Sequence, residues 1–493
     1  MYKPSRLRVC AALLVLFGLF AAACGQKPGV HNVSLTQGGT GAGTIPAGEE
    51  FVDADNDGVD DSTGLAADDF AVAAGAGGLD PGTTGGGAPG SGTPGSGTPG
   101  GGDGTGAGTP GGGGGGDGGG DGDGGDGDGG QPPSGQPPQG GGDSTGVTAS
   151  EIRIGVHAPI TGASPLPPGE FNSGKEMYWR HRGKVQGRTV RVFVEDDTYN
   201  PSTASRVCKK LIQEDKVFIL VGGGGADQIR TCAIVAAQAG VPYVSAGVDE
   251  GVLRQLPNYF ALSFSYPQQA PILVQYIQNV LRPGNKELGM LYDRTPSFKA
   301  ALDKFESAAK SAGYSVKRVP YSGNASADGE ALRGLDVVFP LMAPADFVQV
   351  AISPGGRTVG TYAGMGITMG LNSVTNPICR ANGSYDGRFF SPFPGLDKIE
   401  DMDPDFREAG GQGDIELALW GLNVTIDAAF TKMGKNLYRE AFLQAMTGGI
   451  KTGVYPTLNH SQSNHFGATS THVLKSNCSS GQNDTDATFK NRF

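Results

Sequence analysis

Lysine and arginine are missing entirely from His31 to Ser150, a stretch of 120 residues. With 17 Asp or Glu its charge is −17, against −11 for the whole chain of 493 residues, so the remainder sums to +6. Four of those positive charges, Lys3, Arg6, Arg8 and Lys27, sit at the extreme N-terminus. From Glu151 onward, 34 basic and 32 acidic side chains nearly cancel. The low isoelectric point thus belongs to one segment, and the rest lacks the basic footprint that nucleic acid requires. Catalytic signatures are also missing. Gly222–Gly225 follows an apolar run but has neither the Walker Lys-Ser/Thr nor G-x-G-x-x-G spacing, and G-x-S-x-G and H-E-x-x-H do not occur. His460, His465 and His472 are loosely spaced and read as solvated or turn histidines, and Asp196-Asp197 reads as a turn cap. No enzyme is expected.

What is present begins with a secretory signal. Lys3, Arg6 and Arg8 precede an apolar run from Val9 to Ala23, too short for a comfortable membrane span. Ala21-Ala22-Ala23-Cys24-Gly25 resembles a bacterial lipobox, which makes residues 1–23 the signal peptide and Cys24 the lipidated first residue. Residues 24–150 read as a disordered Gly/Asp/Pro-rich tether, since His31–Ser150 holds 44 of the 85 glycines. Such a segment carries too little apolar surface to offset its ordering entropy. As a Gly-rich coil, 120 residues span roughly 55–65 Å. Within it, Asp53, Asp55, Asp57 and Asp61 follow the D-x-D-x-D-G pattern of a calcium loop, but Gly64 stands where a bidentate Glu belongs. The loop is a candidate weak calcium site; no cofactor is required.

From Glu151 the text alternates. Strands are expected at 152–157, 189–195, 217–221 and 241–245, with helices at 171–181, 203–214 (Ser202 as N-cap) and 227–239 between them. The pattern repeats with helices at 268–281, 297–312 and 345–352 and strands at 287–292, 314–320, 335–341 and 358–362. Helices at 414–433 and 437–446 follow. Two α/β halves in about 343 residues predict two Rossmann-like lobes, with a ligand cleft at the carboxyl ends of the strands. Setting aside Cys10 and Cys24, four cysteines remain and allow three pairings. Cys208 and Cys232 fall on helices that right-handed crossovers place side by side, leaving Cys379 for Cys478. Export favours two disulfides.

Several segments carry a family resemblance. They are Ile152-Arg-Ile-Gly-Val156 running into Pro159-Ile-Thr-Gly162, and Glu195-Asp-Asp197 before Asn200-Pro201. Phe218-Ile-Leu-Val-Gly222 and Ala239-Gly-Val-Pro-Tyr-Val-Ser245 follow in order. In order and spacing they resemble the type I periplasmic binding proteins, in the branched-chain amino-acid branch of ABC importers and in lipoprotein form. The resemblance implies lobe one at 151–267 and 385–452, lobe two at 268–384 and 453–485, and a tail at 486–493. It also implies ligand contacts from Ser164, Gly224, Gly225, Ala226, Gly247, Val248, Asp249, Ser297 and Met365, with Tyr199, Tyr266 and Tyr292 as cleft aromatics. Four positions depart from the amino-acid-binding pattern. Gly223–Ala226 has no hydroxyl for a carboxylate, Gly247–Asp249 has no Thr, 362–367 has no acid for an ammonium, and Ser297 replaces an aromatic.

The expected function is a membrane-anchored, extracytoplasmic, monomeric receptor. It would close two lobes on a small polar solute (amino-acid-like, an amide or a short acid) and deliver it to an ABC permease. A ligand sensor for a partner receptor or kinase, or an adhesion protein on a long tether, are the other readings. A neighbouring permease and ATPase would favour transport, and a neighbouring histidine kinase sensing.

Overall fold

The structure, a computed structural model, describes residues 142–249, 251–366 and 370–490. The signal peptide, Cys24 and the calcium-loop candidates Asp53, Asp55, Asp57 and Asp61 lie outside the described residues. The chain begins with β1 (Glu151–Ala158), two short helices α1 (Pro168–Gly174) and α2 (Met177–Arg182), and β2 (Thr189–Asp196). It continues through α3 (Pro201–Gln213), β3 (Ile219–Gly222), α4 (Ala226–Gln238), β4 (Tyr243–Ser245) and β5 (Tyr259–Ala261). These strands form one fully parallel sheet in the order β2-β1-β3-β4-β5.

The chain then enters the second lobe. There it makes α5 (Tyr266–Tyr276), β6 (Glu287–Tyr292), α6 (Lys299–Ser311), β7 (Ser315–Pro320), α7 (Ala325–Ala331) and β8 (Val337–Leu341). Next come α8 (Pro344–Ile352), β9 (Thr361–Gly364), α9 (Leu371–Asn382) and β10 (Gly387–Ser391). The helices α10 (Leu396–Met402), α11 (Pro404–Glu408), α12 (Asp414–Met433) and α13 (Arg439–Thr447) follow. The last elements are β11 (Ser470–Asn477) and β12 (Gln482–Lys490), antiparallel additions to a seven-stranded sheet ordered β12-β11-β10-β9-β8-β6-β7.

Burial explains the layering. Helix α12 is apolar nearly all round, and Trp420 and Phe430 are buried against Tyr178 and Trp179 of α2 beneath the first sheet. Tyr178 also donates to Asp427 at 2.8 Å, and Trp179 to Asn423 at 3.0 Å, so the polar ends of both rings are satisfied. The last helices therefore belong to the first lobe although they follow the second in sequence.

Several expected boundaries move. Strand β10 pairs with β9 and β11, so the return to lobe one falls after Ser391 and not at 385. Residues 486–490, expected as tail, lie in β12, and residues 453–468, expected in lobe two, bridge Ile450 and Ala261 of lobe one. The folded part starts earlier than 151: Asp143 pairs with Arg439, and Val147 bridges Ile152. The helix expected at 171–181 is two short ones, and Asn200, not Ser202, caps α3 by accepting from Thr203 N at 3.0 Å.

Both cysteine pairs are bonded, Cys208 to Cys232 and Cys379 to Cys478, with Cα separations of 5.7 and 5.3 Å. The first ties α3 to α4. The second ties the end of α9 to the β11–β12 turn and so holds the antiparallel edge of lobe two. The three late histidines are buried, not solvated. His460 Nε2 lies 2.9 Å from Ala261 O and His465 Nδ1 lies 2.7 Å from Tyr259 O, strapping the edge strand β5, while His472 bonds Thr488 across β11–β12.

Candidate functional site: the cleft between the lobes

Parallel strands end on the same side, and each is followed by a helix whose N-terminus points back to that edge. In this chain the two sheet edges face each other across a cavity of about 240 Å³. Lobe one contributes Ser164 and the Pro165–Pro168 turn after β1, Gly223 and Gly224 after β3, and Gly247 and Val248 after β4. Tyr266, at the start of α5, stands at the crossing between lobes. Lobe two closes the wall with Pro344, Ala345 and Val348 of α8, and with Gly366, Gly370, Ser373 and Val374 around α9.

Close backbone approach explains the glycines after β3. A Cβ on Gly222 would stand 2.0 Å from His157 Nε2, and one on Gly224 would stand 2.4 Å from Pro159. His157 is fully buried beneath this loop. Its Nδ1 lies 2.8 Å from Asp197 Oδ2 and its Nε2 2.6 Å from the Tyr243 hydroxyl. The Asp197 carboxylate accepts from His157 Nδ1–H, which in the neutral ring leaves Nε2 to accept from Tyr243. The three side chains form a satisfied polar floor that fixes the loop's position.

Polar bridges cross the mouth. Asp227, in the first turn of α4, accepts from Thr295 Oγ1 at 2.9 Å and from Ser297 Oγ at 2.5 Å. Ala345 N donates to Ser164 Oγ at 3.3 Å, and Asn372 N donates to Asp414 Oδ2 at 2.8 Å. Desolvation, reinforced by Glu170, pushes the Asp414 carboxyl up to about 7. Burial likewise raises Asp293, which takes the Ala343 N–H at 2.8 Å. Tyr266 is buried, its hydroxyl is pushed far above its usual range, and it donates to Gly366 O at 3.4 Å.

Of the residues expected at the ligand, the structure brings Ser164, Gly224, Gly247 and Val248 together on the cavity wall. Gly225 and Ala226 sit just behind, as the N-cap and first residue of α4. Three expected residues are elsewhere. Ser297 is spent on Asp227, Met365 is buried in the core beside Gly366, and Asp249 is buried next to Val248 and does not line the cavity. Of the three tyrosines only Tyr266 reaches the cavity. The Pro165–Pro168 shelf and the starts of α8 and α9 escaped the sequence reading. Pro344 at the first position of a helix was an available signal; nothing local marks Gly370 or Ser373.

Comparison with known proteins matches this arrangement. A model of the periplasmic binding proteins fits residues 151–482. An amino acid binding protein of Pseudomonas aeruginosa is 25% identical over 186 residues, 35% of this chain and 47% of the relative. The chain thus spans about half the length of that curated relative. A leucine binding protein from Thermotoga maritima superposes with TM-score 0.57 at 15% identity, covering 69% of this chain and 99% of the other. A fatty acid ABC transporter substrate-binding protein from Thermomonospora curvata gives 0.58 at 16%, covering 71% and 95%. A solute binding protein of R. palustris in complex with 4-hydroxybenzoate gives 0.58 at 17%, covering 70% and 98%. With two-thirds of its length matched to the family and the two-lobed cleft in place, this chain belongs to the periplasmic binding proteins.

Proposed function

We propose that the protein is a membrane-anchored solute receptor that captures a small molecule between its lobes and hands it to an ABC permease. The observation that carries this reading is the cavity itself, walled by both lobes and bridged at its mouth by Asp227–Ser297, Ser164–Ala345 and Asp414–Asn372. A ligand held there stabilises the closed arrangement by contacts that only the closed arrangement offers. Residues 366–374 and 344–348 supply those contacts from lobe two. Anchoring rests on the lipobox at Ala21–Cys24 and on the Gly/Asp-rich stretch, long enough to hold the lobes some tens of ångströms from a bilayer. Among the described residues no helix is long and apolar enough to cross a membrane.

A thermal screen of the full, oxidised chain against amino acids, amides, short acids and urea-like compounds tests the reading. A ligand at 100 times its Kd adds about 2.7 kcal/mol. A shift of several degrees that also compacts the protein in small-angle scattering supports a solute receptor. The absence of any shift across all classes contradicts it.

A further inference from the structure

A second group of polar side chains lies in lobe one, and none of its members lines the cleft. His181, in the last turn of α2, and Asp405 and Glu408, on α11, are exposed, and their ligand atoms all lie within 4.8 Å of one another. Asp405 and Glu408 are three residues apart, the spacing that puts two side chains on one face of a helical turn. His181 is remote in sequence, so packing brings it to them. The ring of Trp420 orders both helices: the buried Phe406 of α11 meets it edge-on at 5.7 Å, and the His181 ring lies 5.7 Å from it. Asp403, the N-cap residue of α11, adds a polar anchor by accepting from Trp420 Nε1 at 2.8 Å and from the Tyr455 hydroxyl at 3.1 Å. Buried contacts thus fix the two backbones, while the three donors stay open to solvent.

Those donors are uncommitted. The side chains of His181, Asp405 and Glu408 make no hydrogen bond or ion pair among the described residues. The adjacent arginines are engaged elsewhere: Arg180 with Ser173 O, Arg182 with Asp427, and Arg407 with the carbonyls of Gly411 and Leu396. The other four histidines among the described residues are buried, so His181 is the imidazole that solvent ions can reach. Two carboxylates on one helical face repel, and a divalent cation between them and the imidazole removes that repulsion. One nitrogen and two oxygen donors suit zinc, whose bonds of about 2.0–2.2 Å set tetrahedral ligands about 3.4 Å apart. Small rotations of exposed side chains reach that spacing. Magnesium and calcium take oxygen shells and have less use for the imidazole.

We propose that His181, Asp405 and Glu408 bind one divalent transition-metal ion of the zinc type, which clamps α11 to α2 and keeps its fourth position for water. The full, oxidised chain, freed of metal by a chelator, is titrated calorimetrically with zinc chloride, with thermal shifts alongside. Excess calcium is present throughout to occupy oxygen-only sites elsewhere in the chain. One zinc ion per chain should bind and raise the melting temperature. Losing an outer-shell partner alone costs about 10- to 100-fold in metal affinity, so His181→Ala and Glu408→Gln should each weaken zinc by at least as much. Both positions are exposed, and circular dichroism of the metal-free variants should match the parent. Absence of zinc binding under these conditions overturns the proposal. Zinc bound by His181→Ala with unchanged affinity also overturns it, because the ion then sits elsewhere.

Discussion

The two lobes meet the cleft on unequal terms. Lobe one presents backbone, the glycine loops after β3 and β4, with His157, Asp197 and Tyr243 packed beneath the first of them. Lobe two presents helix starts that are already occupied, with α8 donating to Ser164 and α9 to Asp414. The difference implies a division of labour. On the proposed function, lobe one would hold the solute and lobe two would report its presence by closing.

The same asymmetry appears in the covalent framework. The Cys379–Cys478 bond closes a loop of 99 residues that includes the return through lobe one, while Cys208–Cys232 closes only 24. On loop entropy alone these contribute about 4.7 and 3.4 kcal/mol. Paired Cys→Ser variants should therefore show the larger fall in denaturant midpoint for Cys379/Cys478, with lobe two losing amide protection first. An equal fall would remove this contrast.

The buried histidines set a pH limit. Burial lowers His460 and His472 to about 4, so each stays neutral in the fold while the unfolded chain binds its proton near 6.5. Their stabilisation is complete above pH 6.5 and is lost as pH falls toward 4, by at most about 3 kcal/mol apiece. Asp414, raised to about 7, opposes them: its cost in the fold grows as pH rises from its unfolded value through 7. Urea midpoints measured from pH 4 to 8 should rise to about 6.5 and then level. His472→Gln should flatten the acid limb through lobe two, and His460→Gln through the β5 edge of lobe one.

Filling the cleft separates binding from folding. Ala345→Trp projects bulk from the cap of lobe two into the cavity and should weaken any cleft ligand about 100-fold, with little change in the melting temperature of the free protein. Calorimetry and circular dichroism on the same sample check both parts. A smaller effect is expected at the mouth. Ser297→Ala removes one hydroxyl from Asp227 and should weaken ligand about tenfold, without changing which ligand is preferred.

Much of this was legible before any coordinates. Apolar strands ending in glycine announced the α/β alternation and the two loops of lobe one that reach the cavity, because both are local patterns. Crossover handedness sufficed for the cysteine pairs. The lobe-two wall was illegible for a physical reason: Gly370, Ser373 and Ala345 acquire meaning only when a separate lobe faces them. The histidines failed likewise, since their partners Ala261, Tyr259 and Thr488 are remote carbonyls or a hydroxyl on another strand. Strand β12 reads as polar text because it is an edge strand with one face in water, and β10 is only five residues long.

Spin labels at the exposed Asn172 of lobe one and Gln349 of lobe two allow the account's central claim to be tested directly by a pulsed-resonance distance measurement. Addition of a solute that raises the melting temperature should shorten and narrow the distance distribution. An unchanged distribution under a saturating, stabilising ligand would place that ligand outside the cleft and contradict the account.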